Sequence, residues 1–229
     1  IEVNYGARIG HQIANYNSAL FYSKKFNLIH VHTPFPDRKW EKILGINDSK
    51  ITLTQLIKKG YKKIQLPRFK EKDKSETLKI KKIINSYCNE KVIFFLETDQ
   101  DYANQYEIGP VLQKKIFSSR QRKRDKLIFE KKFFNVAVHI RAGDILANEK
   151  MSKQRYLNIN YFIKAINKGL SIINTRKKIK IYIFSKNFIK SFSKLKRFNN
   201  LKFCYNINQY KTFLHFIYAD LLITSKSSF

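Results

Sequence analysis

The stretch from Asn135 to Asp144 constrains the fold of this chain more than any other. It reads Asn-Val-Ala-Val-His-Ile-Arg-Ala-Gly-Asp, a run of apolar and small residues that acquires polar side chains towards its end. A run without apolar–polar alternation is typical of a strand buried on both faces of a parallel sheet. Open α/β sheets bind ligands beyond the carboxyl ends of their strands, so we expect Arg141 to meet an anion there. The alternative is a structural ion pair between Arg141 and Asp144.

Strand and helix patterns alternate along the rest of the chain. Apolar runs typical of strands lie at 28–33, 63–66, 91–96, 178–185, 201–204 and 220–225. Helical spacing of apolar residues covers 13–26, 54–59, 75–88, 110–132, 158–174, 187–196 and 209–219. Ser75 and Glu76 form the expected N-cap pair of the helix at 75–88. This alternation predicts an α/β protein made of two doubly wound units, with a boundary near residue 130.

Two glycines mark the expected loop before the first helix. Gly6 and Gly10 are followed by His11 and Gln12, and the helical pattern begins at Ile13. A strand, a short loop and a helix form a cradle for an anion, because the unpaired N–H groups at a helix N-terminus point outward. Many strand-to-helix turns contain two glycines, so this feature alone does not define a site.

The chain is strongly basic, with 46 Lys and Arg residues against 17 Asp and Glu and a formal net charge of +29. Such a surface favours anionic partners: nucleotide phosphates, acidic glycans, lipid head groups or nucleic acid. The run Arg120-Gln-Arg-Lys-Arg124 falls in the expected long helix and suits either nucleic acid, a membrane or a solvated helix between two domains. A nucleic-acid module predicts clustered charge with interleaved stacking aromatics. The lysines here are dispersed, so we expect no nucleic-acid partner.

Cysteine usage and hydropathy favour a cytoplasmic protein. Cys88 and Cys204 are too few for a disulfide framework, which fits a reducing compartment. No apolar run approaches the roughly 20 residues that span a bilayer. The basic surface permits peripheral contact with the anionic inner face of a membrane. The chain starts and stops within strand-like segments, so we expect it to be part of a longer one.

Two clusters suggest metal ligation but have simpler explanations. His30 and His32 share one face of the strand expected at 28–33, a spacing that suits metal ligation, pocket lining or plain packing. Asp99 and Asp101 resemble the acidic pairs of metal-dependent sugar transferases, although such pairs are common in polar loops. We expect no metal site and no cofactor.

Three segments, in order, resemble the fucosyltransferase-like superfamily of GDP-fucose enzymes. His139-Ile-Arg-Ala-Gly-Asp144 matches the HxRxGD-type signature of this superfamily. Gly6-Ala-Arg-Ile-Gly-His-Gln12 is similar to its N-terminal loop G-x-x-G-N-Q. Ser225-Lys-Ser-Ser-Phe229 is similar to its third motif, a Ser/Thr-rich turn followed by Phe. The resemblance covers nearly the whole chain, with a vaguer match in the lysine-rich middle.

The resemblance implies a GT-B fold, in which two Rossmann-like domains face each other across a cleft. Residues 1–130 would form the acceptor-side domain, and residues 131–229 an incomplete nucleotide-sugar domain. Arg141 would hold the β-phosphate of GDP, and Ser227 and Ser228 the pyrophosphate. The implied catalytic residues are His139, Arg141 and Asp144. The implied donor-binding residues are Gly10, His11, Gln12, Arg141, Ser225, Ser227, Ser228 and Phe229.

The implied reaction is the metal-independent transfer of a sugar, with L-fucose as the leading candidate, from a GDP-sugar donor. The acceptor would be a glycan or lipid-linked oligosaccharide of a bacterial surface polysaccharide, attacked with inversion. Asp144, His11 and His32 all remain candidates for the general base. His11 stands where the family has Asn, Ala142 where many members have a second Arg, and Ser185-Lys-Asn187 where an acidic pair is common. A non-catalytic α/β nucleotide-binding protein and a basic nucleic-acid-binding module are the alternatives.

Overall fold

The computed structural model describes residues 8–46, 51–99, 103–119, 122, 125–141 and 156–225. These residues form a mixed α/β structure with parallel sheets, which confirms the predicted fold class at the level of a Rossmann-like α/β protein. The chain divides into two compact units, Ile1–Asp125 and Lys126–Phe229. Among the helices of the described segments, none combines the length and the apolar character needed to cross a membrane.

The first unit contains a parallel pair of strands surrounded by short helices. Strand β1 (Lys62–Gln65) pairs with β2 (Val92–Phe95), in a register that runs from Lys62 opposite Val92 to Gln65 opposite Phe95. Tyr22, Leu66, Phe69 and Ile80 belong to the apolar core that forms around this pair. The elements are α1 (Ile9–Lys25), α2 (Arg38–Leu44), α3 (Leu53–Lys58), β1 (Lys62–Gln65), α4 (Lys74–Asn85), β2 (Val92–Phe95), a 3₁₀ helix (Ala103–Ile108) and α5 (Gly109–Ser118).

Three local expectations for this unit are wrong. The segment 28–33 is no strand, because only His32 forms a bridge, to Thr52, and the neighbouring positions lack a continuous partner in the described chain. The cap of α4 is Asp73, whose carboxylate accepts hydrogen bonds from the backbone N–H groups of both Ser75 and Glu76. The helix expected at 110–132 ends at Ser118, because Ser119 adopts an extended conformation.

The second unit is built on one sheet of four parallel strands. Its strands are β3 (Phe133–His139), β4 (Lys178–Ser185), β5 (Leu201–Tyr205) and β6 (Leu221–Ile223), and its helices are α6 (Ile159–Ile172), a 3₁₀ helix (Lys190–Arg197) and α7 (Gln209–Tyr218). The strand order across the sheet is β5-β4-β3-β6, and every pair is parallel. The segment expected to be helical at 187–196 is the 3₁₀ helix. The second unit is therefore an open parallel sheet with connecting helices.

Helices cover both faces of this sheet, which explains the unalternated apolar sequence of β3. Val136 and Val138 pack with Phe162 and Ile166 of α6 on one face. On the other face Ala137 belongs to a second buried cluster, against which α7 packs through the partly buried ring of Phe216. Val136, Ala137 and Val138 have no exposed surface at all. A strand buried on both faces needs apolar side chains at consecutive positions.

Candidate functional site

The strand order places a topological switch point between β3 and β6. From β3 the chain moves to β4 and then to β5 on one side, and it returns to the opposite side of β3 with β6. The connections on the two sides cover opposite faces of the sheet, and open α/β sheets bind ligands beyond the carboxyl ends of the strands at such a reversal. His139 ends β3, with Arg141 just beyond it, and Ser225 follows β6. Residues of two sequence motifs therefore lie at the switch point.

Ser225 holds the ends of these two strands together. Its backbone N–H donates to the carbonyl of His139 at 3.1 Å, and its side-chain oxygen accepts from the backbone N–H of Arg141 at 3.2 Å. The same oxygen lies 3.5 Å from Nδ1 of His139. Ser225 is 7 % exposed. The structure thus brings Ser225 next to His139 and Arg141, which precede it by more than eighty positions in the sequence.

Arg141 lies deeper than the sequence suggested. We expected a side chain facing an open cleft, yet it is only 9 % exposed. The guanidinium of arginine is planar and carries a delocalised positive charge. A buried cation requires an anionic or hydrogen-bonding counterpart. Arg141 therefore contributes a fixed positive charge close to the switch point, in a setting where electrostatic interactions are screened less than in bulk water.

His139 is neutral at physiological pH. Burial, and then the positive charge of Arg141, lower the pKa of His139 to about 4. Its ring also packs against Phe216 of α7, with the ring centroids 5.3 Å apart. A general base works best when its pKa lies near the operating pH, so a histidine of this kind is a poor proton acceptor. Its neutral ring is better suited to hydrogen bonding and to positioning.

The pKa of His139 makes the stability of the second unit dependent on pH. The ordinary histidine pKa is 6.5, so the unfolded chain takes up a proton below that pH while the folded chain resists it down to about 4. The effect of His139 on the unfolding free energy is therefore absent above pH 6.5. Below that pH the unfolding free energy declines as the pH falls towards 4. One pKa unit corresponds to about 1.4 kcal/mol, so the full loss approaches about 3 kcal/mol. His139→Gln should weaken this dependence but not abolish it, because burial also lowers the pKa of His215 in the same unit. The measurement is hydrogen exchange of the β3 peptide from pH 7.5 to 4.5. Parallel pH profiles for the parent and the variant would contradict the assignment.

Ser185 is a feature of this sheet edge that lies outside the three motifs. It ends β4, is 8 % exposed, and its hydroxyl oxygen has no hydrogen-bond partner among the described residues. Exposed Lys186 follows it directly. An unpaired buried hydroxyl is uncommon in native proteins, and it is available to a ligand or an ordered water. The signal that could have identified Ser185 was its position at the carboxyl end of a strand neighbouring β3.

The other expected donor-binding residues of the described chain belong to the first unit. Gly10, His11 and Gln12 lie in the first turn of α1 and not in a loop, since this helix begins at Ile9. His11 is exposed and Gln12 is 8 % exposed. The N-cap residue of the helix, Arg8, makes no side-chain capping hydrogen bond. The expected site residues Asp144, Ser227, Ser228 and Phe229 lie outside the described residues, as do Gly6, Ala142 and Asp101.

Neither His30 nor His32, whose spacing would also suit metal ligation, points to a metal site. His32 is 3 % exposed and its Nε2 atom lies 2.8 Å from Oε1 of Glu41. The pKa of His30 is lowered to about 4, chiefly by burial and then by the nearby His32 and Lys115. Across the described segments, no three His, Cys, Asp or Glu side chains are grouped as a metal site would require. The burial of His32 also leaves it poorly placed to accept a proton from a substrate.

One arginine of the basic run is paired. Nε of Arg122 lies 3.1 Å from the carboxylate of Asp125, and both side chains are less than 8 % exposed. A buried ion pair is unlike the solvated or nucleic-acid-binding arginine that the run suggested. The other two arginines of the run lie outside the described residues.

The chain matches no protein-family model, no curated protein and no solved structure. The class that its fold defines is the mixed α/β class with parallel sheets of the Rossmann-like type. Any statement about activity therefore depends on the residues at the switch point.

Proposed function

We propose that this chain is a glycosyltransferase of the fucosyltransferase-like superfamily. It transfers a sugar, with L-fucose as the leading candidate, from a GDP-sugar to a glycan hydroxyl. The proposal includes the GT-B arrangement, with residues 1–130 on the acceptor side and residues 131–229 in the nucleotide-sugar domain. It also includes a lipid-linked or free glycan acceptor.

The observation that supports this proposal most strongly is the meeting of Arg141, His139 and Ser225 at the switch point of a parallel sheet. The first two belong to the HxRxGD-type motif, and Ser225 begins the Ser-rich third motif. Hydrogen bonds join them directly across the ends of β3 and β6. Open α/β sheets bind nucleotide ligands at this location. The agreement between motif and topology is independent of the general basic charge of the chain.

The chemistry of the transfer explains why a fixed cation is needed there. The acceptor hydroxyl attacks C1 of the sugar as the bond from C1 to the β-phosphate oxygen breaks, and GDP leaves with additional negative charge. A guanidinium can contact two phosphate oxygens at once, and this interaction strengthens as the charge develops. Helix α7 begins soon after the carboxyl end of β5, so its partial positive charge lies on the same sheet edge. This arrangement favours stabilisation of the leaving group by protein groups.

The base that accepts the proton of the acceptor hydroxyl is not His139. A group with a pKa of about 4 beside a cation has little driving force to take up that proton. His139 instead packs between Phe216 and the hydroxyl of Ser225 and holds the end of β3 in place. Asp144 remains the candidate within the motif.

Nucleotide selectivity tests the proposal. Thermal unfolding of the intact protein should be shifted upward by GDP and GDP-fucose more than by UDP or UMP, because the superfamily uses guanine nucleotides. Release of GDP from GDP-fucose in the presence of acceptor should persist in EDTA. Equal stabilisation by UDP-sugars would contradict the donor assignment. Loss of turnover in EDTA, with recovery in manganese, would show that Asp99 and Asp101 were wrongly set aside.

A further inference from the structure

The first unit contains an apolar cavity that the proposed transfer does not use. Its volume is about 390 Å³, within the range of roughly 300–1,000 Å³ that ligand pockets occupy. Helix α1, the segment 27–33, α3 and β2 all contribute to its walls. The lining is predominantly aliphatic and aromatic, and it includes Tyr22, Phe26, Leu56, Ile84, Ile93, Phe95 and Leu96.

The cavity opens to solvent through apolar side chains. Leu28 and Ile29 line it and are 36 % and 76 % exposed, respectively. Ile57 of α3, next to the lining residue Leu56, is 43 % exposed. Isolated exposed apolar residues are normal on a protein surface, but a group of them at the mouth of an apolar cavity marks a binding site.

Two lysines lie beside the rings that line this cavity. Nζ of Lys25 is 5.6 Å from the ring centroid of Tyr22, and Nζ of Lys63 is 5.3 Å from that of Phe95. Both lysines are exposed. None of the described residues that line the cavity is acidic. These two lysines, called the cationic margin below, thus lie next to lining rings, and no described residue of the lining supplies a carboxylate to offset their charge.

The few polar groups of the lining carry no charge. Among the described lining residues they are the hydroxyls of Tyr22, Ser23, Thr33 and Tyr61, the amide of Asn27 and the imidazole of His30. His30 stays neutral at physiological pH, because burial lowers its pKa to about 4. An uncharged, largely apolar interior with a cationic margin suits a molecule with an apolar chain and an anionic head.

We propose that this cavity binds one acyl chain of an anionic membrane lipid, whose phosphate is contacted by Lys25 and Lys63. The site is separate from the switch point, and the proposal does not depend on the transferase assignment. A lipid bound in this way would attach the protein to a membrane at a defined surface of the first unit. General attraction by dispersed lysines would lack such a defined surface.

Dodecyl phosphate, below its micelle concentration, is the probe for this site. Calorimetry with the full chain should show one binding site for dodecyl phosphate, with dodecanol and inorganic phosphate each binding at least tenfold more weakly. Ala19→Trp fills the cavity from α1 and should weaken binding at least tenfold. Ser23→Leu, a smaller change in the same wall, provides the test if the Trp variant does not fold.

Charge variants separate the cationic margin from general charge. Lys25→Glu with Lys63→Glu should weaken dodecyl phosphate binding at least tenfold and reduce sedimentation with phosphatidylglycerol vesicles. Lys194→Glu with Lys196→Glu changes the net charge equally on exposed positions of the second unit, and should leave dodecyl phosphate binding unchanged. Vesicles of phosphatidylcholine should bind neither form.

Three results would overturn the proposal. If Ala19→Trp and Ser23→Leu leave dodecyl phosphate binding intact, the alkyl chain of the probe binds elsewhere on the protein. If the two pairs of lysine substitutions weaken dodecyl phosphate binding equally, the weakening is due to net charge and not to the cationic margin. Binding of an extended apolar peptide, without binding of dodecyl phosphate, would identify the cavity as a site for a protein strand.

Discussion

Replacement of Arg141 by lysine is expected to lower kcat roughly 10²–10³-fold, about 2.7–4 kcal/mol of transition-state stabilisation. Lysine keeps the positive charge but loses the planar fork, so two parallel contacts with phosphate oxygens become one. The backbone N–H of Arg141, which donates to Ser225, is unchanged by the substitution. The strand ends should therefore stay joined, and the loss should appear in turnover.

The measurement pairs kcat with the melting temperature for the same variants. Arg141→Lys is the more informative one, because Arg141 is only 9 % exposed and alanine would also remove a buried side chain. Arg141→Ala should lose at least as much turnover and should also melt at a lower temperature. Arg197→Lys makes the same chemical change at an exposed position of the second unit and serves as the matched control. It should alter neither quantity.

A structural role for Arg141 predicts the opposite pattern. If the guanidinium only satisfies nearby groups of the protein, Arg141→Lys would lower the melting temperature and leave turnover per folded molecule largely intact. A stable and catalytically impaired lysine variant supports contact with phosphate. An unstable but active one would remove the main support for the proposed function.

The sheet of the second unit was predictable because its signals are local and strong. β3 has no exposed surface at three consecutive positions, and its sequence shows the corresponding unalternated apolar run. The limits of β4 and α6 also follow from their apolar patterns and, for α6, from the Asn158 cap. Where burial on both faces or a capping side chain determines the structure, sequence and structure agree closely.

The first unit was less predictable because its structure depends on distant partners. The apolar pattern at 28–33 suits a strand, but a strand also needs a neighbour in register, and His32 finds a single bridge. The position of the His32 side chain is also set by its hydrogen bond to Glu41, which the apolar pattern at 28–33 does not show. The end of α5 at Ser118 is not marked by a proline or a glycine. Such contacts cannot be read from composition.

The candidate site was predictable in part. The motifs indicated Arg141, His139 and Ser225, and the sheet order then placed them together. The sequence could not show that Arg141 is buried, that His139 is a weak base, or that the hydroxyl of Ser185 has no partner among the described residues. These properties arise from packing around the strand ends, to which several elements contribute.

Removal of the carboxylate of Glu41 is expected to destabilise the first unit by roughly 3–5 kcal/mol. Glu41 is 2 % exposed and accepts three hydrogen bonds, from the backbone of Phe35 at 2.7 Å, from His32 at 2.8 Å and from Arg38 at 2.9 Å. Glu41→Ala leaves these donors without their acceptor. Glu41→Gln keeps the shape but cannot accept all three, and should cost about 1–3 kcal/mol.

Trp40 provides a local probe for this measurement. It is the only tryptophan, it is 4 % exposed, and it lies beside Glu41 in α2. Urea unfolding followed by its fluorescence should therefore report on the first unit. The matched control is Glu97→Ala, which breaks an ion pair with Arg68 at 3.7 Å between side chains that are both more than half exposed. Solvent screens such a pair, so this control should stay within about 1 kcal/mol of the parent.

The pH dependence of the same variants distinguishes the carboxylate from simple loss of packing. Burial alone would raise the pKa of Glu41, but the hydrogen bonds from Arg38, His32 and Phe35 together hold it below its usual value of 4.5. The ionised carboxylate of Glu41 thus contributes to the unfolding free energy. This contribution is fully present above pH 4.5 and is lost as the pH falls through the lowered pKa. The gap in unfolding free energy between the parent and Glu41→Gln should narrow below that pH. A gap that stays constant down to pH 3 would show that Glu41 acts through its shape and not through its charge.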